Sequence, residues 1–191
     1  GTVAVGKDAL TALTTGAGNT AVGYNALLTE DTGTYNTAIG YQSMKVLNFA
    51  GAGYNTAVGY NTMLAATGAI ENVAIGGNAA IGLITGDQNV IIGTGAGSGT
   101  EDVDGTVIIG TSAAQGVMTS AADGTVAVGK SALNALTTGA ENLAIGYQCM
   151  DAVDDGAENI AIGYQAMSGE TSGKQSIAIG SEALKIANTT S

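Results

Sequence analysis

The chain has 191 residues, with 31 Gly, no Pro, Trp or His, 5 basic against 16 acidic residues and a formal net charge of −11. Without His there is no His-based triad, imidazole metal ligand or imidazole proton shuttle. The basic residues are all Lys, so no guanidinium fork can grip phosphate or a guanine edge. The negative charge opposes nucleic acid and anionic membrane as partners.

A lone Cys cannot close an intrachain disulfide. No apolar run approaches the roughly 18 residues of a membrane-spanning helix, so no membrane insertion is expected. The chain opens on Gly1 with neither an initiator Met nor a secretory pattern, which reads as a mature or excised piece of something longer.

From its first residues the chain repeats itself. Thr2-Val3-Ala4-Val5-Gly6 recurs, with variations, so that its last Gly falls at Gly6, Gly23, Gly40, Gly59, Gly76, Gly93, Gly110, Gly129, Gly146, Gly163 and Gly180. The step is 17 residues, or 19 where two extra residues enter around Phe49 and around Met118. The residue before the motif glycine is always Val or Ile, and the one before that is Ala in nine copies, with Ile91 and Ile108 as exceptions. The fourth residue before it is usually Asn: Asn19, Asn36, Asn55, Asn72, Asn89, Asn142 and Asn159.

This alternation predicts a short strand in every copy. Stacking the copies places like residues in ladders, and an Asn column can add side-chain amide bonds along the stack. The bulky column predicts the structural core: Val5, Val22, Ile39, Val58, Ile75, Ile92, Ile109, Val128, Ile145, Ile162 and Ile179. The nearly bare column predicts a face for chain–chain packing: Ala21, Ala38, Ala57, Ala74, Ala127, Ala144, Ala161 and Ala178.

After each motif glycine, apolar residues lie three apart, as in Leu10/Leu13, Met44/Leu47, Leu133/Leu136 and Met150/Val153. Ala, Leu and Met favour helix, so this half-repeat reads as one helical turn or a second short strand, the helical turn being slightly favoured. A glycine seven residues before the next motif glycine follows in several copies (Gly16, Gly33, Gly86, Gly139, Gly156, Gly173) and suits a turn with positive φ.

Residues 1–25 match residues 124–148 at 19 of 25 positions, so 1–123 reads as a seven-rung block and 124–191 as the start of a second, within one repeat array over 1–191. The expected fold is all-β or mainly β: a β-solenoid or β-roll of about eleven 17-residue rungs. One rung cannot bury its apolar face alone, and stacking makes the core continuous. Eleven rungs at ~4.8 Å give a rod of roughly 50 Å. A face repeated along an axis favours homo-oligomers with closed symmetry.

Asn19-Thr-Ala-Val-Gly23-Tyr24-Asn-Ala-Leu27, Asn36-Thr-Ala-Ile-Gly40-Tyr41-Gln-Ser-Met44 and Asn159-Ile-Ala-Ile-Gly163-Tyr164-Gln-Ala-Met167 resemble repeats of bacteriophage tail fibres and related surface fibres, which often end in an intramolecular chaperone of the endosialidase type. The core Val-Ala-Ile-Gly is also similar to the head repeats of trimeric autotransporter adhesins (YadA-like). The adhesin unit is shorter and lacks the Leu/Met-rich half, which favours the phage-fibre comparison. The resemblance spans essentially the whole chain. It implies a homotrimeric solenoid acting as a non-enzymatic fibre shaft or adhesive head, on a virion surface or otherwise extracellular, with a cell-surface glycan or protein as receptor. The alternative of the same architecture is a bacterial cell-surface adhesin head or extracellular filament.

The candidate sites are few. Tyr24, Tyr41, Tyr60, Tyr147 and Tyr164 follow the motif glycine directly, and stacked tyrosines offer either glycan contact or a structural seam. The acidic groups Glu30-Asp31, Glu101-Asp102-Asp104 and Asp151-Asp154-Asp155-Glu158 lack the glycine-rich calcium nonapeptide and read as solvated loops. Cys149 stands in a column of small residues and reads as a buried thiol. Gly95-x-Gly97-x-Gly99 lacks the Lys of a phosphate loop.

No catalytic, metal or cofactor residues are expected. Two remoter readings remain. A polysaccharide-degrading tailspike requires a carboxylate pair in a groove, and none is marked. An ice-binding solenoid requires an unbroken Thr face, and here Thr alternates with Val or Ile.

Overall fold

The computed structural model describes residues 1–185. It is a parallel β-solenoid of about ten turns. Eleven three-residue strands follow one another: β1 Val3–Val5, β2 Thr20–Val22, β3 Thr37–Ile39, β4 Thr56–Val58, β5 Val73–Ile75, β6 Val90–Ile92, β7 Val107–Ile109, β8 Val126–Val128, β9 Leu143–Ile145, β10 Ile160–Ile162 and β11 Ile177–Ile179. They form one sheet in sequence order, and every pair is parallel. The register matches like with like, for example Thr20↔Thr37, Ala21↔Ala38 and Val22↔Ile39. Both 19-residue steps keep it, as in Ala38↔Ala57 and Ile108↔Ala127. Their extra residues are taken up in the connections between strands: Phe49 packs against the core in the first, and the second has a short 3₁₀ turn at Ser120–Ala122 with Met118 and Ala122 buried.

The two faces of the sheet are the reverse of the sequence expectation. The Ala column, expected to pack between chains, points into the rung: Ala21, Ala38, Ala57, Ala74, Ala127, Ala144, Ala161 and Ala178 are all buried. The Val/Ile column, expected as core, points outward. Val5, Ile39, Ile75, Ile145 and Ile179 are exposed, and Val22, Val58, Ile92, Ile109, Val128 and Ile162 are half-buried.

The reason is space. Each rung is thin, and its interior is filled from the opposite side by the fourth residue after the motif glycine: Leu10, Leu27, Met44, Met63, Leu133, Met150 and Met167 are buried there. Opposite a Leu or Met only an Ala fits. The middle rungs show the compensation. Where the fourth-residue column shrinks to Gly97 and Ala114, with Ala80 one rung before, the strand column grows to Ile91 and Ile108. A Cβ on Gly97 would lie 3.2 Å from Ile91 and 3.4 Å from Ile108. Total volume is conserved, as close packing requires.

The second half of the rung is neither helix nor strand. The second and fourth residues after the motif glycine are left-handed throughout, with φ between +46° and +65°, as at Asn25 (+56°) and Leu27 (+47°). Its N–H groups point along the rod instead of back along the chain. Asn25 N–H donates to Lys7 O on the preceding rung (3.0 Å), and Leu27 N–H donates to Ser43 O on the next (3.1 Å). A left-handed residue costs roughly 1–2 kcal/mol, and the inter-rung bonds offset this by keeping buried backbone paired. Tight turns set the three-residue spacing of apolar side chains: Leu47 N–H donates to Met44 O (3.2 Å) and Val153 N–H to Met150 O (3.2 Å). Gly95 and Gly97 fall on these two left-handed positions, and a Cβ on Gly99 would strike the Gln115 and Gly116 carbonyl oxygens of the next rung, which accounts for that glycine cluster.

The Asn column forms the expected ladder, fully inside. Asn72 Oδ1 accepts from Asn89 N–H (2.9 Å) and Asn89 Nδ2 (3.0 Å), while Asn72 Nδ2 donates to Gly86 O (2.8 Å). The same bonds recur at Asn55, Asn89, Asn142 and Asn159. The first insertion interrupts the pattern. Asn36 Nδ2 is buried without a partner, because the turn that should supply its acceptor carries the two extra residues.

The turn glycines are a further correction. Gly16, Gly33, Gly86, Gly139, Gly156 and Gly173 are absent from the positive-φ positions. At Gly16, Gly86, Gly139 and Gly156 a Cβ would strike a backbone oxygen of the next rung; at Gly33 and Gly173 it would strike the Glu30 or Glu170 side chain.

Candidate functional site

The outward sheet face is a continuous feature of the surface along all eleven strands. It comprises the first and third residues of every strand, 22 positions of which 19 are aliphatic and three are Thr. None of the 22 is buried. All 16 acids and all five lysines lie elsewhere in the rung. A face three residues wide and eleven rungs long has a flat footprint of roughly 500 Å². That sits at the upper end of apolar patches on monomeric proteins, which seldom exceed ~600 Å² and are often functional when so large.

Beside this face run the tyrosines. The rung places Tyr24, Tyr41 and Tyr60 in one stack, with ring centroids 5.3 Å apart at each step. Tyr147 and Tyr164 form a second stack at 5.5 Å. Tyr35 and Tyr54 form a third at 5.2 Å, in the column just before the Asn ladder. Lys7 Nζ lies 5.8 Å from the Tyr24 centroid and closes the lower end of the first stack with a cation–π contact. The sequence placed these residues in columns. What it did not show is that stacking hides most ring faces.

The acidic groups behave in two ways. Asp104, Asp154, Asp155 and Glu158 are exposed. Three aspartates form a ladder in which each side chain accepts a backbone N–H of the preceding rung: Ile70 to Asp87 (2.8 Å), Asp87 to Asp104 (2.7 Å) and Asp104 to Asp123 (2.8 Å). Partial burial, with the neighbouring charges of Asp104 and Glu71, pushes the Asp87 carboxyl above its ordinary value. Among the described residues no group of three or more His, Cys, Asp or Glu is placed to hold a metal ion.

Glu30 departs from the solvated-loop expectation. It is fully buried, in a column that holds Leu13, Leu47, Leu83 and Leu136 in other rungs and a second glutamate, Glu170, seven residues after Gly163. Its Oε1 accepts Gly33 N–H at 2.7 Å, while Oε2 has no partner. Burial outweighs the backbone hydrogen bonds and raises its pKa above the ordinary 4.5. The folded chain therefore holds this proton more tightly than the unfolded chain. Stability is expected to fall as pH rises from about 4.5 through the folded value, because the buried carboxylate must then ionise. Thermal unfolding between pH 4 and pH 8 is expected to show this slope in the wild type and a flatter one in Glu30→Gln; equal slopes would contradict it.

Cys149 is buried as expected. Its Sγ donates to Ala161 O (3.2 Å), and burial pushes the thiol up to about 11. Ser43 and Thr62, in the same column, donate to Ala57 O and Gly76 O of the next rung, so this position tolerates a small polar group when it can bond upward. No protein-family model, curated protein or solved structure matches the chain.

Proposed function

We propose that the chain is a rigid segment of a homotrimeric surface fibre, non-enzymatic, carried on the outside of a virion and serving host attachment. The observation that carries this reading is the outward sheet face: an aliphatic strip, free of charge, running the full length of the rod. In water such a strip is unfavourable by about 25 cal/mol for every Å² left uncovered.

A second copy of the same strip is a suitable cover. It has the same length, the same rung spacing and no charge to desolvate. A self-complementary strip along a rod axis favours closed cyclic assembly over an open filament. The choice of three copies and of a virion rests on the resemblance of Asn36-Thr-Ala-Ile-Gly40-Tyr41 and its sister repeats to tail-fibre repeats. Presentation in several copies raises avidity through geometry, without a deep pocket on any one chain.

The test is the oligomeric state of the wild type against Ile75→Glu/Ile109→Glu. Both side chains face outward, so the variant chain keeps its fold. Sedimentation velocity is expected to give a trimer for the wild type and a folded monomer for the variant, with unchanged far-ultraviolet circular dichroism. A wild-type monomer at micromolar concentration contradicts the proposal.

A further inference from the structure

The tyrosine stacks lie beside the sheet face, and their ends are unlike their middles. Tyr41 has a ring on each side, at 5.3 Å. Tyr24 has Tyr41 on one side and Lys7 on the other. Tyr60 is the last ring of its stack. The equivalent position one rung on is Gly77, where an added Cβ would have nothing within 4 Å. Exposure follows this order, from 39% at Tyr24 through 44% at Tyr41 to 54% at Tyr60. The second stack also ends on an exposed ring, with a small side chain in place of the glycine: Tyr147 is 41% exposed, Tyr164 is 49% exposed, and the next rung carries Ser181.

Beyond Gly77 the column continues with the exposed hydroxyl of Thr94. The column therefore reads ring, gap, hydroxyl, and the gap is two rungs or roughly 10 Å tall. A saturated six-membered ring resting on Tyr60 at ~4 Å contact distance fits that height. The half-exposed Asn78 adjoins the gap, its backbone N–H donating to Tyr60 O (2.8 Å). An aromatic face and a hydroxyl around a ring-sized gap match the two sides of a sugar, one of C–H groups and one of hydroxyls.

We infer that Tyr60 and Tyr164 are platforms for neutral pyranose units of a surface glycan. The net charge of −11 disfavours acidic sugars. The two platforms are six rungs apart, roughly 29 Å along the rod. Each is open and weak, and repetition along and around the fibre supplies the avidity. This inference deepens the attachment reading and rests on it.

Saturation-transfer difference NMR with the methyl glycosides of glucose, galactose and mannose, and with neutral hexose oligosaccharides, tests it. The wild type is expected to transfer saturation to ring C–H protons of the sugar. Tyr60→Ala/Tyr164→Ala is expected to lower that transfer at least about tenfold. Gly77→Val in the Tyr164→Ala background keeps Tyr60 but fills the gap, and is expected to do the same. Gly77 lies in open space with no positive φ, so this change leaves the fold intact. Undiminished transfer in either variant, or none in the wild type with any of these sugars, overturns the inference. Sedimentation of the same samples separates the two readings. An intact trimer without sugar contact removes only the platform, whereas a monomer removes the fibre reading.

Discussion

Gly93→Ala is expected to destabilise the chain by about 3–5 kcal/mol, the size reserved for clashes and strain in a packed interior. Gly93 has φ +134°, within the +127° to +144° range shared by all eleven motif glycines. A Cβ there would sit 2.6 Å from Gly110 O, a backbone atom held in the ladder. Neither term can relax alone. Moving the oxygen breaks the next rung, and changing φ turns the corner away from the second half of the rung. A solenoid couples each rung mainly to its neighbours, so damage at mid-array removes support from both sides. Urea unfolding checks this. Gly77→Ala is the matched control, because it lies in open space with no positive φ; it is expected to change stability by under about 0.5 kcal/mol. Similar midpoints for the two variants would contradict the account.

Asn72→Leu is expected to cost about 2–5 kcal/mol although it makes the interior more apolar. Asn72 joins three rungs: its Oδ1 accepts from the Asn89 backbone and side chain, and its Nδ2 donates to Gly86 O and, on the rung before, to Asn55 Oδ1 (3.2 Å). Removing it strands a buried N–H and a buried carbonyl, each worth roughly 1–3 kcal/mol when unpaired. Asn36 offers a weaker version of the same experiment, because its Nδ2 already lacks a partner. Asn36→Leu is therefore expected to cost less than Asn72→Leu by about 1 kcal/mol, again read by urea unfolding.

Repetition made the axial organisation legible. Once Gly6 and Gly23 align, the parallel register and the Asn ladder follow, because every residue meets its own equivalent one rung on. The assignment of faces was not legible by the same route. Alternation in Thr20-Ala21-Val22 separates two sides but does not say which is inside, and the general preference of bulky apolar residues for the interior points the wrong way here. The deciding signal was a coupled one. Ile91 and Ile108 replace Ala in the two rungs where Gly97 and Ala114 replace Leu or Met, with Ala80 one rung before, and such compensation requires the two columns to face each other.

The left-handed second half was hidden by Leu and Met, which ordinarily favour helix. Its visible trace was the second residue after the motif glycine, where Asp8, Asn25, Asn61 and Asn78 stand. Asn and Asp tolerate positive φ better than other side chains. The tyrosines were legible as columns. The free ring face at Tyr60 depends on Gly77 leaving its position empty, which only the stacked geometry displays.

The central claim is that the aliphatic column faces another copy while the Ala column faces the chain's own interior. The native chain has a single Cys, buried at position 149, so a second Cys is a clean probe. Ile75→Cys and Ala74→Cys, each in a Cys149→Ala background, place a thiol on opposite sides of the same strand. Under mild oxidation Ile75→Cys is expected to give covalently linked copies on a denaturing gel. Ala74→Cys is expected to stay a single chain and to resist maleimide until unfolded. Cross-linking through Ala74→Cys, or a freely reactive and unlinked Ile75→Cys, would contradict the account.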